Sequence, residues 1–193
     1  TKHGIVLGMG RRCEIDGTYM PDANGHGGSE QRVCSGRCRV EAYRRRKAIP
    51  DGMKALRRWV RADGKRPIQP DGKPASSTKP ATWSAFEQVA NTGEGDGWGI
   101  MLGDGLACYD LDHILDPQGR VKERHPGRLI LDRLEREGCL FAEISSSGEG
   151  LHLFVHSDAP SWKREGVEFY SHSRFIRMTG IKWNPKRRRN AHQ

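Results

Sequence analysis

No run of apolar residues in this 193-residue chain approaches the roughly 18 to 20 that a membrane span requires, and only 35% of its residues are hydrophobic. With a mean hydropathy of −0.77, the core is modest and much of the chain is surface or loop. The stretch from Lys2 to Gly10 is too short and too rich in glycine for a secretory signal. A soluble, cytoplasmic chain with no membrane partner is therefore expected. Cysteine is scarce and odd in number, five in all, which argues against a disulfide framework. Cys108 and Cys139 lie in apolar contexts and are expected as buried small side chains. A Walker-type Gly-x-x-x-x-Gly-Lys-Ser/Thr is missing, so a helicase activity would have to lie outside this segment, in cis or in trans. Internal repeats are missing too.

Positive charge is abundant. The formal net charge is +9 and the pI is near 9.6, a balance that favours a polyanionic partner, nucleic acid foremost. The charge is clustered in Arg44-Arg45-Arg46-Lys47 and in Lys186-Arg187-Arg188-Arg189, which suit a phosphate backbone.

Three regions separate on composition. Residues 1–48 are rich in Gly and Arg and hold Cys13, Cys34 and Cys38, whereas residues 49–182 hold nearly all the helix and strand signals; 183–193 is a basic tail. In the middle region Thr82 is placed to cap a helix from Trp83 to about Asn91. Gly97 to Leu102 and Leu106 to Asp112 read as strands of a hairpin turned at Gly103-Asp104-Gly105. A helix is expected from Gly127 to Glu137, ended by Gly138. Strands follow at Leu140–Ser145, Gly150–His156, Gly166–Tyr170 and Phe175–Thr179. The pattern is α+β, with a sheet that leans antiparallel.

Asp110 and Asp112 occupy alternate positions of an apolar strand and so project to one face, with Tyr109 and Leu111 on the other. Two adjacent carboxylates ask for a cation, and hard divalent ions take carboxylate oxygens. Glu168 repeats the arrangement in Val167-Glu168-Phe169-Tyr170. His152 lies opposite Leu151 and Leu153 on its own strand, just after Ser145-Ser146-Ser147-Gly148-Glu149-Gly150, a turn whose amides can cradle phosphate. Three carboxylates, a histidine and a phosphate turn on one predicted face are explained together by two metal ions and a bound triphosphate.

Taken in order, Tyr109-Asp110-Leu111-Asp112, Ser147-Gly148-Glu149-Gly150-Leu151-His152 and Val167-Glu168 resemble the three-motif signature of the archaeo-eukaryotic primase superfamily. The likeness is greatest to the bifunctional primase–polymerase domain of phage and plasmid replication proteins. Trp59, Gly64-Lys65-Arg66-Pro67, Ala75-Ser76 and Thr82-Trp83 are similar to that family's opening segment, and Arg174-Phe175 with Thr179-Gly180 to its closing one. The resemblance spans roughly residues 51–182. A Glu stands at the third carboxylate where the family has Asp.

This resemblance implies an RRM-like antiparallel sheet flanked by helices, with the catalytic residues on its open face. It implies a DNA primase/polymerase making primers on a single-stranded template from NTP or dNTP, extending the primer strand beside a replicative helicase. Asp110, Asp112 and Glu168 would hold two Mg²⁺ or Mn²⁺ ions. His152, Ser147 and Gly148 would grip the triphosphate, aided by Arg174, or alternatively Arg177, and by Lys65; Tyr170 would contact the incoming sugar. A metal-dependent nuclease is the rival enzyme, against which the Ser-Gly-x-Gly-x-His turn argues. A non-enzymatic nucleic-acid-binding zinc finger on an inert scaffold is the rival of another class.

The zinc reading rests on Cys13 and on Cys34-Ser35-Gly36-Arg37-Cys38 leading into Tyr43-Arg44-Arg45-Arg46, which resembles the closing half of a treble-clef-like finger, where Cys-x-x-x-Cys opens a basic helix. Four ligands are needed, but the opening half reads Cys13-Glu14-Ile15-Asp16, without its second cysteine. His26 or Asp16 would complete the set, with His3 a weaker candidate.

Overall fold

The computed structural model describes residues 11–20 and 32–185. His3, His26 and the basic run at 186–189 lie outside them. A short antiparallel pair, β1 (Arg11–Arg12) and β2 (Tyr19–Met20), precedes α1 (Gly36–Ala48). Ser35 caps α1 by accepting the Cys38 amide at 3.2 Å. Arg45, Arg46 and Lys47 fill the last turn, where cations suit the negative end of the helix dipole. This is the basic helix anticipated after Cys38.

Then follow α2 (Asp51–Lys54), β3 (Trp59–Asp63), β4 (Arg66–Ile68), a 3-10 turn at Pro80–Thr82, α3 (Phe86–Asn91) and β5 (Gly97–Met101). The second half holds β6 (Leu106–Leu111), α4 (Arg128–Glu137), β7 (Phe141–Ile144), β8 (Leu151–His156), β9 (Trp162–Arg164), β10 (Val167–Tyr170) and β11 (Phe175–Met178). The strands form a sheet ordered β7-β8-β6-β10-β9 and another ordered β11-β5-β3-β4, with antiparallel pairing throughout. The class is α+β, as expected.

Two local expectations are corrected. The strands on either side of Gly103-Asp104-Gly105 are not a hairpin, because β5 and β6 belong to different sheets and the backbone pairing between them is reduced to a Gly103–Leu106 bridge. Each end of the turn is drawn into its own ladder: Leu102 N–H donates to Arg174 O at 2.8 Å, and Ser157 N–H to Gly105 O at 2.9 Å. The helix near Thr82 starts at Phe86, since the Thr82 hydroxyl is occupied with Lys79 O at 2.8 Å and the Ser76 amide at 3.0 Å. Ser84 meanwhile bridges Trp59 in extended form.

Both faces of the five-stranded sheet are apolar. One carries Leu111, Leu151, Leu153 and Val167, which pack with Leu131 and Leu134 of α4. The spacing of those leucines puts one stripe of α4 on the sheet. The other face carries Cys108, Phe141, Phe154 and Tyr170, packed with Trp59, Trp98, Ile100, Ile176 and Met178 of the four-stranded sheet. That second face is also the one that bears Asp110, His152 and Glu168. The carboxylates therefore do not lie opposite the apolar side: their face is covered by the second sheet over part of its area, and they stand where the cover gives way to a cleft. Beyond β11 the chain pairs along β7, with Trp183 N–H donating to Ala142 O at 2.8 Å.

Candidate active site

Antiparallel register assembles the site. Across β7, β8, β6, β10 and β9, Glu143 faces His152, His152 faces Asp110, Asp110 faces Glu168 and Glu168 faces Lys163. Directly opposed residues share a face, so one row of the sheet alternates carboxylates with basic side chains except at its centre. There Asp110 and Glu168 are joined by Asp112, and oxygens of all three lie within 4.8 Å of one another.

Asp112 sits one residue beyond β6 and is held by its backbone. Its N–H donates to Gly166 O at 3.1 Å, and its carbonyl is 2.7 Å from His125 Nε2. Since Gly127 N–H donates to His125 Nδ1 at 3.0 Å, the proton of a neutral His125 lies on Nε2 and points at Asp112 O. Gly166 has φ +68 and passes so close that a Cβ there would lie 3.1 Å from His125 Nε2.

Burial sets the electrostatics. The Asp110 carboxyl is raised above its ordinary range, by burial first and then by Asp112 and Glu168, against the pull of His152 and Arg174. Glu168 is lowered despite burial, because the Tyr170 hydroxyl donates to Oε2 and Lys163 Nζ lies 2.9 Å from Oε1. His152 is raised: burial opposes its charge, but the hydrogen bond and charge of Glu143, with Asp110 and Asp112, outweigh it. Its Nδ1 is 3.0 Å from Glu143 Oε1 and its Nε2 is 3.7 Å from Asp110 Oδ1. Three carboxylates of hard oxygen donors, one of them destabilised in its charged form, fit a divalent cation.

The cleft in front of this row measures about 730 Å³ and is lined by Asp110, Asp112, His152, Ser145–Ser147, Lys65, Pro67 and the strip Ser173–Arg177. The serine turn closes through Gly148 N–H to Ser145 O at 3.0 Å, with Gly148 at φ +78. Lys65 and Arg174 are exposed at its rim, and the Arg174 guanidinium lies 4.3 Å from the centre of the Tyr170 ring. Arg177 is engaged elsewhere, paired with Asp96 at 2.7 Å and bonded to Gly64 O. Tyr170 is buried and its hydroxyl is turned to Glu168. Of the predicted residues, then, Asp110, Asp112, His152, Ser147, Lys65, Arg174 and Arg177 line the cleft, Glu168 joins them through its contact with Asp110 and Asp112, and Gly148 does not line it.

No protein-family model matches the chain. It is 32% identical over 149 residues to a DNA primase-polymerase of Nitratiruptor phage NrS-1, a match covering 66% of this chain. Over that stretch the chain is similar to a primase–polymerase. It spans about 20% of the length of that relative.

Three residues in or beside this row escape a reading of the sequence. Glu143 is fully buried and accepts from Gly180 N–H at 2.8 Å and Thr179 N–H at 3.1 Å as well as bonding His152. Its one signal is an acidic residue inside the apolar strand Phe141-Ala142-Glu143-Ile144. The Thr179-Gly180 pair thus supplies amides to Glu143. Lys163 and His125 lie in polar stretches with no pattern to single them out.

Among the cysteines, Cys13, Cys34 and Cys38 come together as expected, and the fourth member is Asp16, with one atom of each within 4.8 Å of the others. Cys108 is buried and Cys139 is half-buried. Among the described residues no helix is long and apolar enough to cross a membrane.

Proposed function

We propose that residues 49–182 form a template-directed nucleotidyl transferase that makes and extends primers on single-stranded DNA from NTP or dNTP during phage or plasmid replication. The observation that carries this reading is the register that sets Asp110 between Glu168 and His152 while Asp112 closes the group. The homologue's name supports it. Asp110, Asp112 and Glu168 would hold two Mg²⁺ or Mn²⁺ ions. When bound, such ions activate a 3′-hydroxyl and neutralise charge on the phosphates.

The chain's own residues account for the rest. Glu143 favours the charged form of His152 and holds its Nδ1, which leaves Nε2 to offer its N–H to an anionic oxygen in the cleft. The Ser145–Ser147 turn presents hydroxyls and amides to the same anion. Arg174 stands unpaired by carboxylate among the described residues, stacked on Tyr170, and supplies a cation for the triphosphate; Lys65, also on the cleft lining, supplies another. The basic surface attracts the template strand. The reaction takes place in the cytoplasm, beside a helicase carried in cis or in trans.

The test is primer synthesis on unprimed single-stranded DNA with Mg²⁺ or Mn²⁺, comparing wild type with Asp110→Ala plus Asp112→Ala. Dinucleotide and longer products from the wild type alone are expected. An equal yield from the double variant, or none from the wild type, overturns the reading.

A further inference from the structure

The nucleotidyl transferase site uses none of the N-terminal cysteines, yet the chain brings three of them to one point. Cys34 Sγ and Cys38 Sγ are 3.5 Å apart, too far for a disulfide. Asp16 Oδ2 lies 3.3 Å from one sulfur and 3.1 Å from the other. Cys13 is buried beside them in the same small core. Their origin in the fold is orderly. Cys13 and Asp16 come from the turn joining β1 to β2, where Gly17 N–H donates to Cys13 O at 2.9 Å and the Thr18 amide to Asp16 Oδ1 at 3.0 Å. Cys34 precedes α1 and Cys38 lies in its first turn, so both sulfurs stand at the N-terminal end of that helix.

We propose that Cys13, Asp16, Cys34 and Cys38 bind one tetrahedral transition-metal ion of the zinc class, and that the loaded site holds the N-terminal segment against the catalytic unit. Three soft thiolates with one carboxylate select zinc over the hard ions suited to Asp110, Asp112 and Glu168. Each thiol gives up its proton on binding. Asp16 occupies the position that the second cysteine of a Cys-x-x-Cys turn would take, which removes the need for His26.

The second half of the proposal follows from Glu14. It lies within the ligand turn, and its carboxylate reaches into the catalytic unit, 3.5 Å from Arg61 Nη1, while also lying 3.9 Å from Arg46 Nη1 of α1. Arg61 is 1% exposed on β3, and a buried guanidinium without its carboxylate is strongly unfavourable. A second strut joins α1 to the catalytic row. Gly180 approaches Arg45 so closely that a Cβ would lie 2.7 Å from its carbonyl, and the Gly180 amide is one that holds Glu143. Fixing the turn and the start of α1 by one ion therefore fixes both struts.

Metal content and melting temperature test this without any measurement of polymerase activity, so its failure is distinct from failure of the catalytic reading. The 193-residue chain is purified without chelators and its zinc counted by mass spectrometry, then challenged with a competing chromophoric chelator. One zinc per chain is expected. Asp16→Asn and Cys38→Ser should surrender it at least on the order of 10- to 100-fold more readily, as even outer partners of metal ligands do. Asp16→Cys, which keeps a charged ligand, should hold it as firmly or more so, and His26→Ala should behave as wild type. Removal of the zinc should lower the melting temperature of the wild type. Absence of stoichiometric zinc from both wild type and Asp16→Cys overturns the site. So does release by His26→Ala with retention by Asp16→Asn. An unchanged melting temperature after proven removal of zinc overturns its role in holding the segment.

Discussion

Glu143 and His152 face each other across β7 and β8 with 3.0 Å between Oε1 and Nδ1, and both are buried. Such a pair is costly to bury and worse to break. The backbone amides of Thr179 and Gly180 complete the hydration that Glu143 has lost.

Replacing Glu143 by Gln should therefore destabilise the protein by about 3 kcal/mol near neutral pH and lower the His152 pKa, which imidazole NMR would report directly. The sign with pH is fixed by the direction of the shift. Because His152 titrates above its unfolded value of about 6.5, its contribution to stability is whole below that pH and is lost as pH rises through the folded value. Urea midpoints of the wild type should fall over that window, and those of Glu143→Gln should fall less.

Asp110 shows the opposite compromise. Its charge is opposed by burial, Asp112 and Glu168, so without cations the site holds a carboxylate in an unfavourable state. Asp110→Asn should abolish nucleotidyl transfer yet raise the melting temperature in chelator. A gain of about 1 kcal/mol would read as roughly 2–4 °C in a chain of this size. Mn²⁺ should raise the melting temperature of the wild type and not that of the variant. A variant that melts lower than wild type in chelator would contradict the electrostatic account.

The row is partly legible in the sequence because carboxylates at alternate positions of apolar strands violate the local pattern. Asp110, Glu168 and His152 each stand out in this way. Their juxtaposition is less legible, since register depends on which strands pair, and the Gly103-Asp104-Gly105 turn suggests a hairpin that tertiary pairing overrides. The second apolar face is hidden for the same reason. Cys108 and Phe154 share the parity of Asp110 and His152, but only the position of the second sheet shows that one end of that face is core and the other is cleft. His125 and Lys163 carry no periodic signal, because each acts from a loop or an edge on a single atom.

Glu168 is engaged on both oxygens, by Lys163 on one and Tyr170 on the other. These partners should differ in effect. Lys163 is exposed and its ammonium competes with a divalent ion for the carboxylate, so Lys163→Gln should lower the half-saturating Mn²⁺ concentration by a few-fold. Tyr170 is buried and orients the carboxylate, so Tyr170→Phe should reduce the maximal rate and leave a more mobile Glu168. Cation titrations of primer extension separate the two, and identical titration curves for both variants would refute the distinction.

Arg174 and Arg177 stand close together on the same strip of chain but have different surroundings. Arg177 is bound to Asp96 and to Gly64 O, joining β11 to the turn after β3, and its positive charge is already met. Arg174 has the Tyr170 ring beneath it and the cleft before it, with no carboxylate ion-paired to it among the described residues. A charged hydrogen bond to a triphosphate is worth about 1.5–3 kcal/mol, so Arg174→Ala should raise the nucleotide KM by roughly 10- to 100-fold with little change in melting temperature. Arg177→Ala should do the reverse, lowering the melting temperature while nucleotide KM moves little. Steady-state extension of a primed template, run beside thermal melts of both variants, decides between them, and a KM change confined to Arg177→Ala would move the second triphosphate cation from Arg174 to its neighbour.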